Sequence, residues 1–154
     1  MIKIYTTPTC ASCRKAKKWL DEHQIKYQEV NLIKHKLTEK ELNEILKNTE
    51  NGVEDIISKR SKLYNSIDMD SMTIGELKNY IINNPLVLRR PIMVGDDRMQ
   101  IGYNEEDIDV FMSKKLRGLL MSASCDSDVD CDYKKILADY LDEIRRQIKE
   151  EKKA

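Results

Sequence analysis

Ile2-Lys3-Ile4-Tyr5-Thr6-Thr7-Pro8-Thr9-Cys10-Ala11-Ser12-Cys13-Arg14 is the stretch that decides the fold. Ile2 to Tyr5 alternates apolar and polar residues, the period of a half-buried strand. From Cys10 to about His23 the period lengthens to that of a helix, with Ala16, Trp19 and Leu20 on one side and Lys15, Lys17 and Lys18 on another. The two cysteines therefore stand at a helix start, three residues apart. Thiols so placed can close a disulfide, and the helix dipole with a neighbouring cation favours the thiolate of the first. The bland alternative, two small buried hydrophobes, explains neither their position nor their neighbours.

A CxxC after a proline and a strand is the way thioredoxin-like folds present redox chemistry. Ile25 to Leu32 reads as a second strand, which makes a β-α-β opening with parallel neighbours. The expected fold class is α/β: a thioredoxin-like fold with a helical insertion at about 33–85, plus a C-terminal amphipathic helix. In the insertion, Thr38 to Glu41 and Thr73 to Glu76 have capping-box spacing, each ahead of an apolar helical face. Asn51-Gly52 is expected to end the first of these helices, and Val53 to Ser58 to form a short one. Leu86 to Val94, the turn Gly95-Asp96-Asp97 and Arg98 to Gly102 read as a hairpin, with Pro91 at its edge and a candidate for a cis bond. Asn104 is placed to cap a short helix burying Ile108 and Phe111. The expected domain division is 1–118 for the redox fold, 119–132 for an acidic linker and 133–154 for the terminal helix, striped by Ile136, Leu137, Tyr140, Leu141, Ile144 and Ile148.

Bulk composition bounds the function. The chain has 154 residues, 27 Lys plus Arg and 27 Asp plus Glu, so its formal net charge is zero. Phosphate neutralisation dominates nucleic-acid affinity, so a role on DNA is expected to run through a protein partner. No apolar run is long enough for a signal peptide or a membrane span, and the expected location is the cytoplasm. Reducing conditions there make Cys10 and Cys13 a reversible pair.

The other candidate sites are weaker. Cys125 and Cys131 lie outside the usual spacing of zinc ligands. Asp126, Asp128 and Asp130 imitate a calcium loop that fails where Gly and Glu are required, at Cys131 and Leu137. No metal or cofactor is expected, and His23 and His35 read as surface residues. Arg14, one helical turn after Cys10, is placed to hold the thiolate or a nearby anion.

Four segments in order, Thr7-Pro8-Thr9-Cys10-Ala11-Ser12-Cys13-Arg14-Lys15-Ala16, Ser58-Lys59-Arg60-Ser61-Lys62, Leu88-Arg89-Arg90-Pro91-Ile92 and Gly102-Tyr103-Asn104-Glu105, resemble the Spx regulators of the arsenate reductase-like (ArsC/Spx) family. The likeness covers roughly residues 1 to 117. It implies a thiol-stress-responsive global transcriptional regulator, not an enzyme, that binds the C-terminal domain of the RNA polymerase α subunit. Such a regulator touches DNA only through the polymerase complex, represses activator-dependent promoters and activates thiol-homeostasis genes. The resemblance assigns the switch to a Cys10–Cys13 disulfide, and the α-subunit contact to Gly52, with Lys47 beside it. Arg60 and Arg90 match arginines that hold an oxyanion in the reductases; in a regulator they bind an anion or register the state of the disulfide. The family is also degraded by an ATP-dependent protease with its adaptor, recognised partly at the C-terminus. The alternative reading is an arsenate reductase-like oxidoreductase with Cys10 as nucleophile.

Overall fold

The structure, a computed structural model, describes residues 1–122 and 133–152. Its framework is a four-stranded sheet of β1 (Ile2–Thr6), β2 (Tyr27–Asn31), β3 (Ile92–Val94) and β4 (Met99–Ile101), in the order β2-β1-β3-β4. β1 and β2 are parallel with Ile2 opposite Tyr27, as the β-α-β opening requires, and α1 (Ala11–Glu22) is the crossover. β3 runs antiparallel to β1 and β4 antiparallel to β3.

Strand alternation splits the core between the two faces. Ile2, Ile4 and Met93 point to one side, where they meet Ala16 and Leu20 of α1 and then Ile108 and Phe111. Tyr5, Val30, Ile92 and Val94 point to the other. That second face is covered mainly by the insertion, through Leu42 and Ile45 of α2 (Glu39–Leu46), Val53 and Ile56 of α3 (Val53–Ile56) and Ile81 of α4 (Ile74–Asn83), joined by Val87 and Leu88 just after it. The insertion is thus the second layer of the sandwich. Both capping boxes form, with the Thr38 and Thr73 hydroxyls accepting the backbone N–H of Glu41 and Glu76 and each Glu carboxylate accepting in return.

Several expectations are corrected. α2 stops at Leu46 with Lys47 as its cap, so Asn51-Gly52 does not end it. Gly52 instead opens α3 with φ +66° and ψ −129°, a conformation that glycine alone adopts readily. Of the β-prone run Leu86 to Val94 only Ile92–Val94 is strand; Pro85–Val87 is a 3-10 turn, and Leu88 makes a single antiparallel bridge to Ile57. The helix expected after Asn104 is a 3-10 turn at Ile108–Phe111, with Ile108 and Phe111 buried as the pattern required.

His23 is no surface residue. It is buried, its ring stacks on Trp19 at 3.9 Å, and Nδ1 lies 2.8 Å from the Trp19 carbonyl, because it caps α1 over the apolar side of the helix. His35 is exposed and pairs through Nε2 with Glu41 at 2.9 Å. Burial raises the Glu41 carboxyl, but hydrogen bonds from His35 and Thr38 outweigh it and leave it below its usual range.

α5 (Lys114–Ser122) extends helix into the first residues assigned to the acidic linker. The remainder of that linker, with Cys125, Cys131 and the Asp126, Asp128 and Asp130 series, lies outside the described residues. α6 (Tyr133–Glu151) packs on α5: Tyr140 and Ser113 hydroxyls are 2.7 Å apart, Lys115 pairs with Glu143 at 2.9 Å, and Leu141 is buried.

Candidate functional site, a disulfide beside an arginine-lined groove

Cys10 and Cys13 are joined by a disulfide across the first turn of α1, with Cα atoms 5.2 Å apart. Cys10 is the N-cap. Its backbone is extended, its Sγ accepts the N–H of Cys13 at 3.1 Å, and its own N–H donates to Thr7 O at 3.2 Å. An N-cap group normally supplies an oxygen here; the sulfur takes that role and feels the positive end of the helix dipole. Cys10 is partly exposed, whereas Cys13 is 1% exposed. The environment therefore distinguishes an outer sulfur from an inner one.

Against this turn stands the Arg89-Arg90-Pro91 segment, whose Arg90-Pro91 bond is cis. Arg90 donates from Nη1 to Thr7 Oγ1 at 2.9 Å and so grips the loop leading into Cys10. Arg89 faces the other way. Its backbone N–H donates to Ile56 O at 2.7 Å, flanked by Ser58 N–H to Val87 O at 2.8 Å. Its guanidinium reaches Asp55 O at 3.4 Å.

Asp55 in turn fastens the loop that precedes α3. Its carboxylate accepts the N–H groups of Glu50 and Asn51 at 3.0 and 2.9 Å and the Asn51 side-chain amide at 3.1 Å. These bonds, those from Asn51 foremost, and the nearby Arg89 charge hold the carboxyl below its usual range. The next residue is Gly52, partly exposed, with nothing within 4 Å of where a Cβ would project. Two adjacent arginines thus bridge the disulfide turn and the Gly52 loop.

Between them opens a groove of about 690 Å³, lined by Ser12, by Asn51, Glu54, Asp55, Ile57 and Ser58, by Lys59, Arg60, Arg89 and Arg90, and by Gly102 and Tyr103. The structure therefore brings Arg60 and Arg90 together beside the CxxC. Arg14 does not join them: it is exposed and reaches only Pro8 O, at 3.4 Å. Lys47 lies apart, at the end of α2, in a surface depression with Lys3, Lys40 and Glu44. The sequence pattern assigns no role to Arg89 or Asp55. The dipeptide Arg89-Arg90 ahead of Pro91 was the available signal for the first. Asp55 could be found only through the loop it closes.

Among the described residues no group of three or more His, Cys, Asp or Glu side chains is arranged to hold a metal ion. Among the same residues no helix is long and apolar enough to cross a membrane.

The ArsC family model matches residues 5–111. Over 122 residues the chain is 48% identical to global transcriptional regulator Spx 2 of Bacillus cereus, covering 78% of this chain and 93% of that one. The chain belongs to the ArsC family, within its Spx branch. The global transcriptional regulators Spx of Staphylococcus epidermidis and Staphylococcus aureus are 48% and 47% identical over 119 residues, 76% of this chain and 91% of each relative. Among solved structures, an ArsC family related protein from Bacteroides fragilis superposes with a TM-score of 0.63 at 23% identity, covering 72% of this chain and 97% of that one. Arsenate reductase from Vibrio cholerae gives 0.61 at 18% identity, covering 71% and 93%. These likenesses place the chain in the thioredoxin-like ArsC fold.

Proposed function

We propose that this chain is a thiol-stress-responsive transcriptional regulator that docks on the C-terminal domain of the RNA polymerase α subunit and is switched by the Cys10–Cys13 disulfide. It represses activator-dependent promoters and activates thiol-homeostasis genes. The shared name of its Spx relatives supports the regulatory role. The observation that carries the switch is the two-sided arginine clasp. Arg90 holds the loop before Cys10, and Arg89 with Asp55 holds the loop before Gly52.

Closing the disulfide fixes the Thr7–Cys13 turn, and the backbone bridge between Arg89 and Ile56 carries that constraint to α3. Gly52 then presents bare backbone to the partner, with Lys47 as a second contact at the end of α2. The disulfide shifts binding only by its differential stabilisation of the competent state. DNA is reached through the polymerase, in keeping with a formal net charge of zero. Removal by an ATP-dependent protease and its adaptor completes the reading, in the cytoplasm.

The test is binding of reduced and oxidised protein to the isolated α-subunit domain. Micromolar or tighter binding is expected for the oxidised form and its loss in Gly52→Arg. Absence of binding in both states sinks the reading. The cationic groove beside Ser12 favours a second one, an arsenate reductase-like oxidoreductase in which Cys10 attacks an oxyanion held by Arg60 and Arg90. Steady arsenate turnover with a thiol-disulfide reductant would establish it.

A further inference from the structure

We propose that the groove beside Ser12 seats the carboxylates of a low-molecular-weight disulfide, and that such an anionic disulfide is the oxidant that closes the Cys10–Cys13 bridge. The proposal rests on the redox-switch reading above and supplies the co-reactant that reading lacks.

Forming the bridge removes two electrons, and something must accept them. The two sulfurs are unequal: Cys13 is 1% exposed, while Cys10 is partly open at the helix N-cap. An incoming disulfide therefore meets the Cys10 thiolate. That thiolate attacks one external sulfur, forms a mixed disulfide on Cys10 and expels the first external thiolate. Cys13, its Cα 5.2 Å from that of Cys10, loses its proton to solvent and attacks the Cys10 sulfur. The second external thiolate leaves and the internal bridge remains. Two protein thiols are oxidised, one external disulfide is reduced to two thiols, and no further reagent is needed.

The groove fits a particular kind of disulfide. At about 690 Å³ it lies in the range of small-molecule sites, and Ser12, between the two cysteines, is on its wall. Its lining holds Lys59, Arg60, Arg89 and Arg90 against Glu54 and Asp55. Asp55 is already occupied by three N–H donors. Lys59 and Arg60 have no hydrogen-bond or ion-pair partner among the described residues, and Arg90 spends a single bond on Thr7. Guanidinium groups so available hold carboxylates in bidentate fashion. Cations spread along the groove suit a molecule with several carboxylates along its length, where a lone oxyanion would need only a point site. With four cations against two carboxylates, the groove's excess of positive charge also raises the encounter rate of an anion.

The experiment follows bridge formation in the reduced full-length protein by acid quench and mass spectrometry. Three disulfides serve as probes: oxidised glutathione, net anionic; bis(2-hydroxyethyl) disulfide, uncharged; and cystamine, cationic. Each rate is divided by that of the same probe with a free cysteine derivative, which removes intrinsic reactivity. The expected result is a preference of about 10-fold or more for the anionic over the uncharged probe. Cystamine should be slowest, and the preference should collapse in concentrated salt. Arg60→Gln with Arg89→Gln should bring the ratio near unity, and Arg60→Lys with Arg89→Lys should keep most of it. Because the readout is a ratio, a change in thiolate reactivity common to all probes cancels. In Cys13→Ser the glutathione adduct should accumulate on Cys10.

Equal normalised rates for the three probes, or a preference untouched by the double Gln variant, would overturn the proposal. The switch reading is measured separately, as α-domain binding by protein oxidised with diamide, an uncharged reagent. Loss of that binding with the anionic preference intact removes the switch and leaves the groove assignment standing; the reverse outcome does the opposite.

Discussion

Asp55 decides more at the site than its surface position suggests. Its carboxylate closes the loop from Glu50 to Gly52 with three N–H donors, while Arg89 donates to its backbone carbonyl and brings a positive charge near. These bonds favour the charged form, so the folded-state pKa lies below the unfolded value. The loop contribution is therefore fully present above the ordinary aspartate range and is lost as pH falls through the lower folded value. In an NMR titration the amides of Glu50 and Asn51 should hold their positions across neutral and mildly acid pH. They should then move together, with a midpoint below that of a free aspartate. Movement near neutrality would mean that a different group controls the loop. Asp55→Asn should weaken α-domain binding while leaving the disulfide able to form, a split that separates the loop from the redox pair. At the other side of the clasp, Cys10→Ala should abolish oxidant-dependent binding altogether, since Cys13 then has no partner three residues away. Retention of a full oxidant response in that variant would sink the switch.

At the scale of elements, the helices begin where the sequence is most explicit. Thr38 and Thr73 each exchange reciprocal bonds with a Glu three residues on, so Thr38→Ala or Thr73→Ala should cost about 1 kcal/mol. Urea denaturation should find the midpoint lowered with an unchanged slope. Deleting core volume in the insertion should cost more: Ile56→Ala, fully buried under the sheet, is expected to lose about 2–5 kcal/mol. That contrast tests whether the insertion is a layer of the core or an appendage. Capping boxes and CxxC were legible because their chemistry is local, a side chain bonding to backbone within one turn. β1 and α1 were legible from their periods, apolar and polar residues alternating from Ile2 to Tyr5 and apolar residues recurring at helical spacing after Cys10; β2 carries a weaker signal, since Val30 alone of its residues is buried. Three features were not. Gly52 carries the same residue signal at a helix start as at a helix end, and only the fold shows that α2 stops six residues earlier, at Leu46. His23 is polar by type, and its burial depends on Trp19 and on the helix cap it forms. Arg89 owes its place to a backbone bridge with Ile56, which joins residues far apart in the chain.

Over the whole molecule, the redox pair and the partner surface obey one thermodynamic cycle, and that makes the proposed switch quantitative from either side. If oxidation tightens α-domain binding by some factor, the bound α domain must stabilise the disulfide over the dithiol by the same factor. For a two-electron couple each tenfold of coupling lowers the midpoint potential by about 30 mV. The clasp gives this coupling a physical route. The Thr7–Cys13 turn, Arg90, Arg89, Ile56 and Asp55 are joined by hydrogen bonds or directly through the chain, so the two loops are linked. Redox titration of Cys10 and Cys13 against a dithiol buffer, with and without saturating α domain, should therefore give two different midpoints. Their separation should match the ratio of dissociation constants measured for oxidised and reduced protein. Arg89→Gln, which removes the guanidinium contact with Asp55 but keeps both cysteines, should shrink the separation and the affinity ratio together. Tight binding with coincident midpoints would show that the α domain reads the fold without reading the disulfide, and the regulator would then need another input for its response to thiol stress.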